Sequence, residues 1–141
     1  MTVDQNKRIV REAFEALMAN DLGPLDGLLA HNAVLHQCGF LEPIRKYAIL
    51  QGIFPGPRRL ADREVRLERI IGEGDIVALH WRTSGRFTDP DSPERDGKPV
   101  SFPSMSFIRM KDGKIAEIWN IQDVSTMHTQ LGEPPKPVAS R

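Results

Sequence analysis

The chain has 141 residues, the length of one ordinary domain and enough to bury a core without disulfides or metal. Hydrophobic residues make up 40% and charged residues 27%, a soluble globular composition. Lys plus Arg and Asp plus Glu both number 19, so the net charge is zero. That balance points to neither nucleic acid nor a membrane surface as a partner, and it leaves self-association unopposed. The single cysteine, Cys38, excludes an internal disulfide framework, suits a reducing cytoplasm and is expected as a small apolar core residue. Met1 to Lys7 carries no apolar signal-like run, and no apolar stretch approaches a membrane span.

The spacing of Ile9, Val10, Ala13, Phe14, Leu17 and Met18 predicts a helix over 4–20, with Thr2 and Gln5 as a capping box. Asn20 to Pro24 ends it, and Pro24 suits the first turn of a short second helix. His31-Asn32 reads as a turn and Ala33 to Cys38 as a short strand broken by Gly39. Pro43 can open a third helix with Ile44, Tyr47 and Ala48 on its buried side, closed by Gly52 and Phe54-Pro55-Gly56-Pro57. The period then becomes strand-like over Glu64–Ile71 and Ile76–Phe87, with Gly72 to Asp75 as a turn. Thr88 to Pro99 is an exposed loop. Val100–Met110 and Lys114–Asp123 are strands joined by the hairpin signal Asp112-Gly113, and Val124–Leu131 forms a terminal helical turn. Helices first and long antiparallel strands after them give an α+β fold, a curved sheet wrapped around the N-terminal helices as a cone with an open mouth. Residues 1–132 read as one domain and 133–141 as a flexible tail.

Asp123 is the leading candidate for chemistry. On one reading it is a general acid/base whose pKa is raised by burial beside Trp119; on the other it caps the helix that begins at Val124. His36 and His80 are candidate proton carriers or polar partners. His80 and Trp81 have opposite parity, so only one of them faces the interior. Phe14, Trp119, Met105, Phe107 and Tyr47 are expected to line a cavity. Arg82, Arg86 and Arg109 lie on strands, where charged residues usually sit on the solvated face; the alternative is that Arg82 or Arg109 orients an acidic group in the mouth. His31 and His128 read as surface. The histidines and the cysteine form no known ligand spacing, so no metal site is expected, and no phosphate loop or nucleophile elbow is present.

Asp112-Gly113-Lys114-Ile115, followed by Glu117, Trp119, Asp123 and Gln130-Leu131-Gly132, resembles the C-terminal signature of the SnoaL-like polyketide cyclase family, within the nuclear-transport-factor-like superfamily. Phe54-Pro55, Glu73 to Ala78 leading into Trp81, and Val100-Ser101-Phe102 before Phe107-Ile108-Arg109 extend the resemblance over about residues 5–132. It implies an α+β barrel without a cofactor, a homodimer through the outer sheet face, and a polyketide-like or other apolar carbonyl substrate. It also implies aldol-type cyclisation or isomerisation, with Asp123 at the position of the family's acid/base aspartate and His36 at a position where pocket residues are common. Epoxide-hydrolase-like chemistry using Asp123 and Arg82, a hydroxylase-like activity, and a non-catalytic binding or dimerisation module are the alternatives. The segment Gly39–Arg45 and the acidic loop Asp89–Arg95 depart from the family pattern.

Overall fold

The computed structural model describes residues 1–51 and 60–133. Helix α1 spans Val3–Met18 and α2 spans Gly23–Leu28. Strand β1 (Leu29–Gln37) follows, then β2 (Ile44–Arg45) and α3 (Lys46–Leu50). Four long elements complete the sheet: β3 (Leu60–Glu73), β4 (Ile76–Phe87), β5 (Pro99–Lys111) and β6 (Lys114–Gln122). Helix α4 spans Val124–Gln130. The closing segment Phe54 to Pro57 and the tail from 134 onward lie outside the described residues. Among those described, no helix is long and apolar enough to cross a membrane.

The capping box forms as expected. The Gln5 amide N–H donates to Thr2 Oγ1 at 3.1 Å, and the Thr2 N–H donates to Gln5 Oε1 at 2.8 Å. The strand order is β2-β1-β6-β5-β4-β3, with β1 parallel to β6 and the other neighbours antiparallel. The sheet is therefore mixed, and among the described residues β2 and β3 are its edges, so it curves without closing into a full barrel. Asp112 and Gly113 both take positive φ, 51° and 76°, as the tight β5–β6 hairpin requires.

Three local expectations fail. His31-Asn32 lies inside β1, which bows away from β6 where the register shifts between Leu29 and Val34. Pro43 leads into the short strand β2 rather than a helix, and Tyr47 on α3 is 69% exposed, because Ile49 holds the buried position of that short helix. Cys38 is exposed, since it follows the last residue of β1 and only its backbone continues the ladder, to Asn120 O.

Val10, Ala13 and Phe14 of α1 pack against Val77, Leu79 and Trp81 of β4 and Ile108 and Met110 of β5. Trp81 is inside, with its ring edge-on to Phe14 at 5.4 Å and 65°. A second cluster joins Phe87, Val100 and Phe102 to Met127 and Leu131. It explains the Gln130-Leu131-Gly132 ending. The Gln130 carboxamide pairs with the Ser101 backbone twice, accepting from its N–H at 2.8 Å and donating to its carbonyl at 2.9 Å. Leu131 is buried, and Gly132 turns the chain at φ 96°. That motif latches α4 onto β5. Beyond it, Glu133 is held by Arg95 at 3.1 Å, so the first residue of the expected tail is anchored.

Candidate functional site

Between α1, α2, α3 and the inner face of the sheet lies a cavity of about 150 Å³. Its walls are mostly apolar: Phe14 and Leu17 from α1, Leu79 and Trp81 from β4, Ile108 from β5 and Ile118 from β6. Its polar groups are concentrated on β5 and β6. The Ser106 hydroxyl donates to Asn120 Oδ1 at 2.8 Å, and Asn120 Nδ2 donates to Gln37 Oε1 at 2.7 Å. Gln122 and Thr83 also line the space. Among the described residues, Arg63 is the one ionisable group of the lining; its side chain is exposed and donates to the Met18 carbonyl at 3.4 Å, which places it at the rim.

Of the residues expected to line the cavity, Phe14 does so. Met105, Phe107 and Trp119 do not; they are 58%, 60% and 38% exposed on the outer face of the sheet. The register assembles them there. Ala78, Phe107, Trp119 and His36 form one cross-strand row, and His80, Met105 and Ile121 form the next. Arg82 is on the same outer face, donating to Ser101 Oγ at 3.1 Å and 3.7 Å from Glu68, so it is paired away from any interior carboxylate. The structure thus brings most of the sequence candidates together, on the face opposite the cavity. The side chains missed were Asn120, Gln122, Ser106 and Gln37. The signal for them was parity: once Trp81 is placed inside, the antiparallel register puts Ser104, Ser106, Asn120 and Gln122 inside as well.

His36 Nε2–H donates to Glu117 Oε2 at 2.6 Å, and its ring stacks on Trp119 at 5.6 Å. Arg109 binds the other oxygen of Glu117 at 3.2 Å. The His36 hydrogen bond, aided by Arg109 and opposed by partial burial, holds the Glu117 carboxyl below its ordinary value. His36 therefore belongs to an outer-face ion cluster.

Asp123 leaves the strand at the end of β6 and caps α4. It accepts from the Thr126 N–H at 3.0 Å and the Thr126 hydroxyl at 2.6 Å. Those two bonds stabilise the carboxylate and lower its pKa, against a smaller opposing effect of burial. The direction is opposite to that of a carboxyl tuned to exchange a proton near neutrality. Asp123 is absent from the cavity lining. The geometry favours the cap, and it predicts that Asp123→Ala lowers stability by about 1 kcal/mol while Asp123→Asn is nearly neutral, as measured by urea unfolding. A lowered folded pKa stabilises above the unfolded carboxylate value and is lost as pH falls through the folded one. The gap between wild type and Asp123→Ala should accordingly close on acidification.

Residues 10–118 match the family model described as the SnoaL-like domain. The chain belongs to that family. No curated protein matches it. Among solved structures, IdmH from Streptomyces antibioticus, a candidate polyketide cyclase, is 26% identical. Its likeness covers 92% of this chain and 99% of that one, at a TM-score of 0.74. AclR from Streptomyces galilaeus, a candidate hydroxylase, is 20% identical over 95% of this chain and 100% of that one, at a TM-score of 0.72. An LEH-like epoxide hydrolase from M. tuberculosis is 23% identical over 92% and 90%, at a TM-score of 0.67. AclR and the hydrolase share the fold with this SnoaL-like domain, whose cavity is the general feature that a small-molecule site needs.

Proposed function

We propose that this SnoaL-like domain takes an uncharged, largely apolar molecule bearing oxygen functions into the cavity. It acts there as an enzyme of the cyclase or isomerase kind. The observation that supports this is the neutral hydrogen-bonding row Gln37–Asn120–Ser106, of which Asn120 and Ser106 line the cavity beside Gln122, on one wall of a mostly apolar space. Such a row polarises a carbonyl, because amide and hydroxyl donors stabilise negative charge that develops on its oxygen. The apolar walls hold a flexible substrate folded, so that its reacting carbons meet. Candidate-cyclase IdmH is consistent with this class of reaction.

In this reading Asp123 supports the fold rather than carrying the proton. The test is turnover of a panel of small ketones and hydroxyketones, followed by proton NMR. Asp123→Asn should keep activity within about three-fold, because Asn replaces Asp as an N-cap. A folded Asp123→Asn variant without turnover would return Asp123 to the role of acid/base. The reading as a binding module is favoured by one observation, the lack of an ionisable group among the described lining residues other than Arg63. Recovery of every bound ligand unchanged would select it.

We further propose that the domain pairs with a second copy through the outer face. Phe107 faces Trp119 and Met105 faces Ile121 across adjacent strands, an apolar block too exposed for a free surface. Phe107→Glu places a charge at the centre of that block, and the dimer dissociation constant should rise about ten-fold or more by sedimentation equilibrium. A wild-type chain that sediments as a monomer at all accessible concentrations refutes the pairing.

A further inference from the structure

We propose that the outer face carries a second binding site, a basic groove at the bowed end of β1 that takes a small phosphate- or carboxylate-bearing molecule with two or more negative charges. The groove is separate from the cavity and stands independently of what the cavity binds.

The bow makes the groove. Leu29 pairs with Ile115 and Val34 with Glu117, so the four residues Ala30 to Ala33 of β1 stand against Ala116 alone on β6. The strands part there, as they do at a bulge. The result is an open recess of about 710 Å³ between β1, β2 and the β5–β6 hairpin. Phe107, Trp119, Met105 and Ile121 are absent from its lining, so it borders the apolar block of the outer face without including it.

Charge then selects the ligand. Arg45, Lys46, Arg109, Lys111 and Lys114 line the groove, against the two carboxylates Asp112 and Glu117. Three positive charges are in excess there, in a chain whose net charge is zero. Three of the cations are held by the fold. Lys46 donates to the Asp26 and Leu29 carbonyls, each at 3.0 Å, and pairs with the Asp26 carboxylate at 3.0 Å. Lys114 donates to the Gly27 carbonyl at 2.8 Å, and Arg109 donates to Glu117 at 3.2 Å. With Asp26 counted, two positive charges remain in excess. Two cations match that number: the side chains of Arg45 and Lys111 are exposed and have no hydrogen bond or ion pair among the described residues. Lys111 also stands directly opposite Lys114 on the hairpin, and like charges so placed repel. An anion between them turns that repulsion into attraction.

Valence follows from exposure. A single ion pair in an open groove is screened and weak, so a monovalent anion gains too little to be held. A multivalent one engages both ends together. Arg45, Val34, Glu117 and Arg109 form one cross-strand row, three strand spacings or about 14 Å wide, with Lys111 two residues beyond Arg109. Two long side chains and one ion the size of pyrophosphate or citrate close that span.

The test titrates the intact chain with pyrophosphate, citrate and acetate at constant low ionic strength, followed by amide proton–nitrogen NMR. Pyrophosphate and citrate should give saturable shifts at residues 30–34 and 111–117, with affinity falling about ten-fold or more in 0.5 M sodium chloride. Acetate should not saturate. In the double variant Arg45→Gln/Lys111→Gln both multivalent anions should bind about ten-fold more weakly, with the melting temperature unchanged because neither side chain holds the fold. Equal affinity in wild type and double variant overturns the site, as does a lack of saturation by both multivalent anions up to about 10 mM. Tighter binding of a pentaglutamate peptide than of citrate overturns the small-molecule class in favour of an acidic protein segment. The cavity resonances of Leu79 and Ile108 report separately, so failure here leaves the proposed function standing.

Discussion

Trp81→Ala should cost about 3–5 kcal/mol of stability, the range for removing a buried aromatic side chain. Trp81 is 4% exposed, packs edge-on against Phe14 and sits at the centre of β4, the strand held by β3 on one side and β5 on the other. Its removal forfeits the burial of the indole and the ring–ring contact, the latter worth about 0.5–1.5 kcal/mol alone. The void left behind joins a cavity that already exists, so its walls have little reason to collapse and refund the loss. A fall in melting temperature of roughly 10–20 °C by calorimetry follows from that cost. Trp81→Phe keeps a ring and should lose much less. The same substitution should change function in the opposite sense. The enlarged space in Trp81→Ala should admit a two-ring probe such as 2-naphthol more tightly than the wild type does. An unchanged preference would mean that Trp81 does not set the size of the site.

The elements were legible because their periods are strong. The Ile9 to Met18 stripe, the run from Ile76 to Phe87 and the Asp112-Gly113 turn each carry one unambiguous signal, and the structure has all three. The family was legible from the end of the chain for a related reason. Gln130, Leu131 and Gly132 each do a separate job in latching α4, so they stand together as a motif. What misled was the rule that the more apolar side of a strand points inward. On β5 the outward residues are Met105 and Phe107 and the inward ones Ser104 and Ser106. On β6 the outward residues are Trp119 and Ile121 and the inward ones Asn120 and Gln122. The pattern is inverted along this part of the sheet. On the proposed reading, the apolar residues lie on the face that a second copy covers, and the polar ones on the wall that meets a ligand. Parity alone cannot tell these from an ordinary core. Asp123 misled differently: alternation along β6 assigns it a face, but the chain turns into α4 at that residue, and the carboxylate follows the turn.

Asn120→Leu is expected to reduce turnover of a carbonyl substrate by about 100-fold to 1,000-fold, the loss seen when one donor to a developing oxyanion is removed. Leu keeps the forked outline of Asn with two methyl groups in place of the amide oxygen and nitrogen, so the amide is lost while the wall gains some bulk. Two bonds go with it. Gln37 and Ser106, both 7% exposed, are left with no partner for the atoms that Asn120 held, and a cost of about 1–3 kcal/mol in stability follows for such groups. Calorimetry separates that cost from the loss of activity, since it reads folding alone and shows whether the variant is folded at the working temperature. Asn120→Asp sharpens the interpretation. It keeps the shape, removes the N–H donors and brings a carboxylate to the wall. If polarisation by the amide is the role, this variant is as inactive as Asn120→Leu. If turnover instead rises, the reaction was limited by the lack of a base in the cavity, and the amide row serves to bind rather than to activate. Asn120→Leu with full turnover would remove the row from chemistry altogether.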